Sequence, residues 1–302
     1  MDNKQIILNS SKLRVAAVVV TFNRKELLLK NITSCLNQTR KIDEIFIIDN
    51  ASSDGTYDYL EQHDIFKNKS IRYVNLLVNQ GGAGGFYHGL KLAFEEGFDL
   101  FWMMDDDGCP DTDSLEKLLV GFKEDLSIIG PLIYCDTLGL SHSKYLVNNK
   151  MSEDISEIKS VLYSYPVHPF NGTLIRKEVV EEIGFPIKEL FIWGDEQEYR
   201  LRWLKAGFKE ASLTNSNYYH PRNKLQFNKF WIFKTPKINK NRKYLYFRNQ
   251  AFIFKKYRSL THFYLSIFWM VLSIILFEKD KKNSLSGIKD GLLENLSDPK
   301  IN

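Results

Sequence analysis

Hydrophobic residues occur in short continuous runs in the first half of the chain, and each run is followed by a segment with helical spacing. The run Arg14–Val20 has no polar face, which is typical of a central strand covered on both sides. Similar runs at 44–49, 71–76 and 100–104 predict three more strands. Leucines at helical spacing over 25–38 predict the first of the intervening helices. This alternation predicts an α/β fold with a mostly parallel central sheet.

The second half of the chain is less regular. A strand at Gly172–Arg176, a helix at Lys177–Ile183 and a helix from Asp195 to about residue 206 are predicted. Beyond Arg222 the pattern becomes aromatic and basic and then helical, so we expect a domain boundary there, between residues 1–222 and 223–302. The predicted helices of the second domain lie near 244–257, 260–277 and 285–296.

Composition excludes several classes of protein. The 302 residues are 44% hydrophobic and 26% charged, which is typical of a globular protein rather than a disordered or fibrous one. The three cysteines, Cys35, Cys109 and Cys135, predict neither a disulfide framework nor a cysteine zinc site, because they are odd in number and widely spaced. The N-terminus carries charges and no long apolar run, so no signal peptide is expected.

Positive charge is concentrated in one segment. From Arg222 to Arg258 there are twelve Lys or Arg residues and no Asp or Glu, interleaved with aromatic residues. This composition suits an anionic membrane surface, and it also suits nucleic acid. No nucleic-acid motif is present, so we expect membrane attachment and no nucleic-acid partner. The apolar stretch Phe263–Phe277 is short for a span, which needs about 20 residues, and favours an interfacial or buried helix. A helical packing domain or dimer interface is the alternative.

Polar residues follow four successive predicted strands. A single Asp or Asn at such a point is more often a helix cap. Ligands of open parallel sheets bind outside the carboxyl ends of the strands, so four successive ends favour a binding site. The candidates are Thr21, Asn23 and Arg24 after the first strand, Asp49 after the second, Asn79 and Gly84 after the third, and Asp105, Asp106 and Asp107 after the fourth.

The aspartate triplet is the most specific of these features. Three adjacent carboxylates repel one another, and a divalent cation with oxygen ligands would relieve the repulsion. A solvated acidic turn is the alternative. His220 could complete the metal site, although a lone histidine is more often structural. The glycine run Gly81–Gly85 precedes a predicted helix and could bind phosphate through backbone amides, but a flexible turn is the more common explanation of such a run.

A second group of carboxylates lies at the start of the helix predicted from Asp195. Asp195, Glu196 and Glu198 could simply complement the helix dipole. Alternatively, one of them could be a general base that takes a proton from an incoming nucleophile. Trp193 could supply a stacking surface for a sugar or another ring.

Taken in order, these segments resemble a known family. The runs 15–23, 45–55 and 79–86, the aspartate triplet and the block 193–202 together resemble a family 2 glycosyltransferase of GT-A fold. The resemblance covers most of the first 220 residues. Within the family, the sequence looks most like bacterial galactofuranosyltransferases and their rhamnosyltransferase relatives. Two later segments, Tyr244–Asn249 and Gly287–Gly291, resemble the tail of that subgroup.

The resemblance implies roles for individual residues. It implies that Asp49 binds uracil, that Thr21 and Asn23 line the nucleotide pocket, and that Asp105 lies near the ribose and the metal. It also implies that Asp107 and His220 bind Mn²⁺ or Mg²⁺. The family's base position falls on Glu196, with Asp195 as the second candidate. The remaining expected contacts are Arg24, Asn79, Gly84 and Asp106 for the donor, and Trp193, Asn171 and Gly172 for the acceptor.

The resemblance further implies an inverting, metal-dependent transfer from a nucleotide sugar. We expect galactofuranose from UDP-galactofuranose as the transferred sugar, with rhamnose from dTDP-rhamnose as the alternative. The expected acceptor is a lipid-linked oligosaccharide or a polysaccharide, reached at the cytoplasmic face of a bacterial membrane. An oligomer is possible. A nucleotidyltransferase and a non-catalytic membrane scaffold are the alternatives from other classes.

Overall fold

The chain forms two compact units. The computed structural model describes residues 13–123, 125–135, 139–148, 150–163, 167–221, 227–230, 233–237 and 240–297. The first unit contains the chain up to Asn79, then Gly85–Phe185 and residues 202–221; the second contains Gln80–Gly84, Pro186–Leu201 and the described residues from 227 onward. The N-terminal segment 1–12 and the expected boundary at Arg222 lie outside the described residues, and that boundary stays a prediction.

Strands and helices alternate along the first unit. Its strands are β1 (Val15–Thr21), β2 (Glu44–Asp49), β3 (Ile71–Asn75), β4 (Leu100–Asp105), β5 (Cys109–Pro110), β6 (Ile128–Tyr134), β7 (Leu140–Val147), β8 (Lys150–Asp154), β9 (Leu162–Tyr163), β10 (Asn171–Arg176) and β11 (Glu210–Tyr219). The helices of the same stretch of chain are α1 (Lys25–Leu36), α2 (Thr56–Gln62), α3 (Gly81–Glu95), α4 (Ser114–Gly121), α5 (Lys177–Ile183) and α6 (Asp195–Lys205). The first residues of α3 and of α6 belong to the second unit.

The central sheet has the order β3-β2-β1-β4-β10-β6-β11-β5. Its first four strands are mutually parallel, β10 runs antiparallel to both of its neighbours, and β11 is parallel to β6. The predicted α/β architecture is therefore confirmed. Every residue of β1 is buried, which agrees with its lack of a polar face.

The register of the parallel strands aligns their carboxyl ends. Thr21 of β1 lies beside Asp49 of β2, and Val20 of β1 lies beside Asp105 of β4. Apolar residues on β1, β2 and β4 pack against α1 and α4 to form the main hydrophobic core. The polar residues that follow these strands are thus held at one edge of a rigid, buried sheet.

The glycine run lies inside a helix, which differs from the prediction that it precedes one. Helix α3 begins at Gly81, so the glycines form its first turns. A Cβ atom at Gly85 would lie 2.3 Å from Val20, and one at Gly89 would lie 2.4 Å from Val18. Close packing of α3 on β1 thus overrides the poor helix propensity of glycine.

The second unit is mainly helical. Its elements are α7 (Lys240–Tyr257), α8 (Leu260–Phe277), α9 (Lys281–Leu292) and the hairpin of β12 (Phe227–Phe230) and β13 (Phe233–Pro236). Phe247 and Ala251 of α7 pack with Met270 and Ile274 of α8 and with Ile288 of α9. Part of the basic-aromatic segment, including Lys224 and Trp231, lies outside the described residues.

Helix α8 has the bounds predicted from the sequence, and most of its surface is not buried. It has 18 residues with a mean hydropathy of 2.0, and 11% of them are buried, so its length and composition would allow it to cross a membrane. Such a low buried fraction does not fit the alternative of a core helix. The exposed large apolar side chains on α8 are Leu260, Tyr264, Leu265, Phe268, Trp269, Ile275 and Leu276.

The contact between α3 and the sheet predicts the effect of a single methyl group. In Gly89→Ala, the added Cβ would lie 2.4 Å from Val18 and 2.8 Å from Ile48, within a buried core. We expect a loss of about 1–3 kcal/mol in the free energy of unfolding, measured by urea denaturation. Lys91→Ala, on the same helix but with an exposed side chain, is the control. Equal stability of the two variants would contradict this packing.

Candidate active site

The aspartate triplet is held at the end of β4 by backbone contacts. The amide of Asp105 donates to the carbonyl oxygen of Phe170 at 2.9 Å. The fully buried side chain of Asn31, on α1, donates from Nδ2 to the carbonyl oxygens of Asp105 at 3.2 Å and Gly108 at 2.6 Å. Asn31 thus fixes the turn at both ends. Asn31 was not predicted as a site residue, because in the sequence it is only a polar residue within a helical pattern.

Asp106 is buried and turned toward residues that follow β1. Its carboxylate accepts from the Thr21 hydroxyl at 2.7 Å and from Nη1 of Arg24 at 3.1 Å. Burial raises the pKa of the Asp106 carboxyl above its usual range, although Thr21 and Arg24 act to lower it. The predicted donor residues Thr21, Arg24 and Asp106 therefore lie together and bind one another.

Asp107 shares the contact with Arg24 and also lies beside His220. Asp105, Asp107 and His220 each offer a ligand atom, and these three atoms lie within 4.8 Å of one another. Oδ2 of Asp107 accepts from Nη1 of Arg24 at 2.8 Å, and its Oδ1 lies 3.2 Å from Nε2 of His220. Burial acts to raise the pKa of Asp107, but His220 and Arg24 outweigh it, and the net pKa is lowered.

The tautomer of His220 follows from its other hydrogen bond. Nδ1 lies 2.9 Å from the carbonyl oxygen of Pro221, which can only accept, so Nδ1 carries a proton. In the neutral ring Nε2 then presents a lone pair to Oδ1 of Asp107. Two lone pairs at 3.2 Å repel each other unless a proton or a cation lies between them. This donor set of two carboxylates and one imidazole suits Mn²⁺ or Mg²⁺.

The loops after β1 and β2 bind each other directly. The amide of Asn23 donates to Oγ of Ser52 at 2.9 Å, and the amide of Ser53 donates to Oδ1 of Asn23 at 2.7 Å. Asp49 is buried, and its carboxylate accepts from the Ser52 amide at 2.8 Å and from the Tyr73 hydroxyl. The predicted donor residues Asn23 and Asp49 thus lie where the loops after β1 and β2 are hydrogen-bonded to each other.

The predicted phosphate contact at Gly84 has a different local environment from that expected. Its amide donates to the carbonyl oxygen of Gln80 at 3.3 Å as part of the first turn of α3. A Cβ at Gly84 would lie 2.3 Å from that of Gln80. The glycine is therefore required by packing, and its donor contact stays a prediction. The other predicted donor residue of this region, Asn79, is exposed just before α3.

Tyr218 is a buried residue that was not among the site residues predicted from the sequence. A Cβ at Gly108 would lie 2.2 Å from its hydroxyl, and a Cβ at Gly172, where φ is +71°, would lie 2.6 Å from its ring. Tyr218 thus packs between the turn that follows the aspartates and β10. Beside Gly172, Oδ1 of Asn171 is buried and has no hydrogen-bond partner among the described residues.

The predicted base residues belong to the second unit. Asp195 is the first residue of α6 and is 8% exposed, whereas Glu196 is partly exposed. Burial, together with the charge of Glu196, raises the pKa of Asp195 to about 7. Trp193 packs edge-on against Tyr246 with ring centroids 6.3 Å apart, and its buried Nε1 meets no acceptor in the described part of the chain.

Comparison with known proteins identifies the family. The profile described as "Glycosyl transferase family 2" matches residues 16–184, which includes β1 to β4 and the aspartate triplet. The chain belongs to glycosyl transferase family 2. It is therefore a glycosyltransferase, and the alternatives of a nucleotidyltransferase and a non-catalytic scaffold are not supported.

Curated relatives place it within the family. The chain is 31% identical over 218 residues to galactofuranosyltransferase GlfT1 of Mycolicibacterium smegmatis, covering 68% of this chain and 70% of that one. It is 33% identical to the GlfT1 of Mycobacterium tuberculosis, with the same two coverages. It is also 27% identical to the dTDP-rhamnosyl transferase RfbF of Shigella flexneri, covering 64% of each chain. The predicted resemblance to this family is confirmed.

Solved structures show the same fold. GalNAc-T7, crystallised with UDP, GalNAc and Mn²⁺, aligns with a TM-score of 0.59 at 15% identity, covering 93% of this chain and 56% of that one. Staphylococcus aureus TarS 1–349, in complex with UDP, aligns with a TM-score of 0.57 at 15% identity, covering 94% and 82%. The GT-A fold predicted from the sequence is thus confirmed.

The donor set around Asp107 predicts a loss of metal affinity in variants. We expect Asp107→Asn and His220→Gln to lower the affinity for Mn²⁺ by about 10-fold or more, because the first removes the negative charge of a ligand and the second removes the imidazole nitrogen. Titration followed by the electron paramagnetic resonance of free Mn²⁺ measures this. Asp113→Asn, at an exposed aspartate paired with Lys117, is the control. Unchanged Mn²⁺ affinity in both site variants would show that this cluster holds no metal.

Proposed function

We propose that this glycosyltransferase transfers galactofuranose from UDP-galactofuranose, with inversion, onto a lipid-linked or polysaccharide acceptor of a bacterial cell-surface glycan. The observation that carries the proposal is the identity of 31–33% with two galactofuranosyltransferases over 68% of the chain. The carboxylate–histidine cluster at the sheet edge provides independent support for a metal-bound diphosphate.

In the donor site, Asp105, Asp107 and His220 would hold Mn²⁺ or Mg²⁺. The metal would stabilise the negative charge that develops on the departing diphosphate. Arg24 carries a second positive charge close to the same carboxylates, since its guanidinium contacts both Asp106 and Asp107. We propose that it turns toward a phosphate oxygen of the donor when the cation occupies the cluster.

Thr21, Asn23 and Asp49 would form the nucleoside part of the donor site. Asp49 would accept a hydrogen bond from the uracil N–H, for which the Ser52 and Tyr73 contacts hold its carboxylate in place. Thr21 would act through Asp106, to which its hydroxyl is bound. The remaining proposed donor contacts are Asn79 and Gly84.

Asp195 is the better supported of the two candidate bases. The sequence register places Glu196 first, but Asp195 is the buried member of the pair, and its pKa of about 7 suits proton transfer near neutral pH. It would take the proton of the acceptor hydroxyl as that hydroxyl attacks the anomeric carbon. Glu196 beside it raises the pKa of Asp195 through its own negative charge.

Two buried polar atoms support the proposed acceptor contacts. Nε1 of Trp193 is a donor and Oδ1 of Asn171 is an acceptor, and within the described residues neither has a hydrogen-bond partner. A buried polar group without a partner costs free energy, which a ligand hydroxyl could recover. Sugar hydroxyls both donate and accept, so they suit both atoms. Gly172 would contact the acceptor only through its backbone, because the ring of Tyr218 fills the space where a Cβ would lie.

The identity with RfbF supports a second donor, dTDP-rhamnose. Incubation with each nucleotide sugar and a synthetic lipid-linked acceptor, followed by mass spectrometry of the products, separates the two. We expect transfer of galactofuranose from UDP-galactofuranose, and loss of transfer when Mn²⁺ is chelated. Transfer of rhamnose alone would overturn the proposed donor, and transfer that persists after chelation would overturn the metal requirement.

The proposed base predicts a pH profile. Since Asp195 must be ionised to accept a proton, kcat of the wild type should rise with pH through about 7. Asp195→Asn should lower kcat by about 10²–10⁴-fold and leave the Kd for UDP unchanged. Glu196→Gln is the matched control, at the neighbouring carboxyl. A large loss in Glu196→Gln with an active Asp195→Asn would assign the base to Glu196.

We also propose that the second unit attaches the enzyme to the cytoplasmic face of the membrane. The exposed apolar side chains of α8 cover about half of its circumference and include Tyr264 and Trp269, residues typical of the lipid headgroup level. Exposed basic residues lie at both ends of the helix, with Arg258 before it and Lys279, Lys281 and Lys282 after it. Anionic lipids would attract these charges.

Membrane attachment can be measured by sedimentation with phosphatidylglycerol vesicles. We expect Leu265→Asp and Phe268→Asp to reduce vesicle binding strongly, because each places a charge on the apolar face of α8. Val120→Asp, at an exposed apolar position of α4, is the control. Unchanged binding in both α8 variants would contradict this attachment. Protein that resists extraction from membranes by alkaline carbonate would indicate a spanning helix instead.

A further inference from the structure

The residues just before Asp195 have an unusual backbone. Phe191 has φ +64° and ψ −65°, Trp193 has φ +70° and Gly194 has φ +110°. A non-glycine residue in such a conformation costs about 1–3 kcal/mol and persists only where its surroundings hold it. Residues 189–194, which we call the base loop, therefore need an external support.

The first support is Asn249, in the middle of α7. Its side chain is fully buried, and Nδ2 lies within hydrogen-bond distance of three carbonyl oxygens of the base loop. These belong to Leu190 at 2.7 Å, Ile192 at 2.9 Å and Trp193 at 3.0 Å. The Asn249 amide thus holds the segment that contains Phe191 and Trp193, the two non-glycine residues of the base loop with positive φ.

The second support is Arg248, which precedes Asn249 on α7 and is also fully buried. Its Nε donates to Oδ1 of Asn249 at 3.0 Å, which fixes the orientation of that amide. Nη2 donates to the carbonyl oxygen of Glu189 at 2.6 Å, at the start of the base loop. Nη1 donates to the carbonyl oxygen of Ser297 at 3.2 Å. Arg248 therefore ties the base loop to the end of the described chain.

The third support lies beyond Asp195, in the first turns of α6. The hydroxyl of Tyr257, at the end of α7, donates to Oε1 of the fully buried Glu198 at 2.6 Å. Lys256 lies 3.4 Å from the same oxygen, and Nε2 of Gln250 donates to Gln197 at 3.1 Å. Helix α7 thus holds the chain on both sides of Asp195 and Glu196.

We infer that Arg248, Asn249 and Tyr257 are positioning residues that hold the catalytic base in place through the base loop and the start of α6. The inference rests on the proposed role of Asp195 or Glu196 as the base. It assigns α7 to the catalytic machinery, although its sequence belongs to the basic-aromatic C-terminal segment. A packing helix would not need a buried arginine and a buried amide directed at the carbonyl oxygens of a strained loop.

Two variants test this role on the two sides of the catalytic base. Asn249→Ala removes the bonds to the base loop, and Tyr257→Phe removes one hydroxyl from the far side of the base. Because displacement of a catalytic group by about 1 Å can cost about 100-fold in rate, we expect kcat to fall about 10- to 100-fold in each variant. The KM for the donor and the Kd for UDP should stay unchanged, since no donor contact is removed.

Lys255→Ala is the control. It removes an exposed side chain from the same helix, whose Nζ donates to the carbonyl oxygen of Leu292 at 2.9 Å and to Glu294 at 2.8 Å and not to the base loop or α6. Its kcat should equal that of the wild type. Hydrogen exchange should quicken in residues 187–198 of Asn249→Ala and stay unchanged in the central sheet, which shows that the variant is folded.

The possible outcomes separate the two proposals. Wild-type kcat in both Asn249→Ala and Tyr257→Phe, or an equal loss in Lys255→Ala, would overturn the positioning role alone. Faster exchange in the base loop with full activity would also overturn it, because the contacts would then be structural only. A wild-type enzyme that transfers no sugar from any nucleotide donor would overturn the proposed function and the inference with it.

Discussion

The first unit depends on one constraint: the negative charges of three adjacent aspartates at the end of a buried strand must be compensated. Arg24 forms an ion pair with Asp106, and Thr21 donates a hydrogen bond to it. Asn31 fixes the turn through backbone carbonyls, and His220 faces Asp107. Each partner comes from a different element, so the loop after β1, the helix α1 and the end of β11 must all meet at this point. One contact in the group, between Nε2 of His220 and Oδ1 of Asp107, needs a proton or a cation between its two atoms.

The pattern of apolar and polar residues predicted the strands and helices that depend mainly on their own local sequence. The four parallel strands, α5 and α8 were predicted close to their observed bounds, because each is a continuous apolar run or a regular helical pattern. The start of α3 was missed, since glycine disfavours helices and only the tight packing against β1 explains its presence there. The aspartates and His220 were predicted as candidates, and the structure places them together.

The parts of the site that escaped prediction depend on contacts between distant residues. Asn249 and the base loop are more than 50 residues apart in the chain, and Tyr218 meets Gly108 only after the sheet has formed. A periodic pattern in the sequence does not reveal such long-range contacts. The basic and aromatic composition of the C-terminal segment indicated a membrane surface, but α7, which lies within that segment, directs its buried polar side chains at the residues around Asp195.

The most direct test of the donor site is a crystal structure with UDP and Mn²⁺, with diffraction data collected at the manganese absorption edge. We expect an anomalous peak at coordination distance from Asp105, Asp107 and His220. The diphosphate of UDP should lie on the side of the manganese that faces away from these residues, and the uracil should lie at Asp49. UDP bound with no manganese peak at these three residues, or a peak located elsewhere, would contradict this expectation.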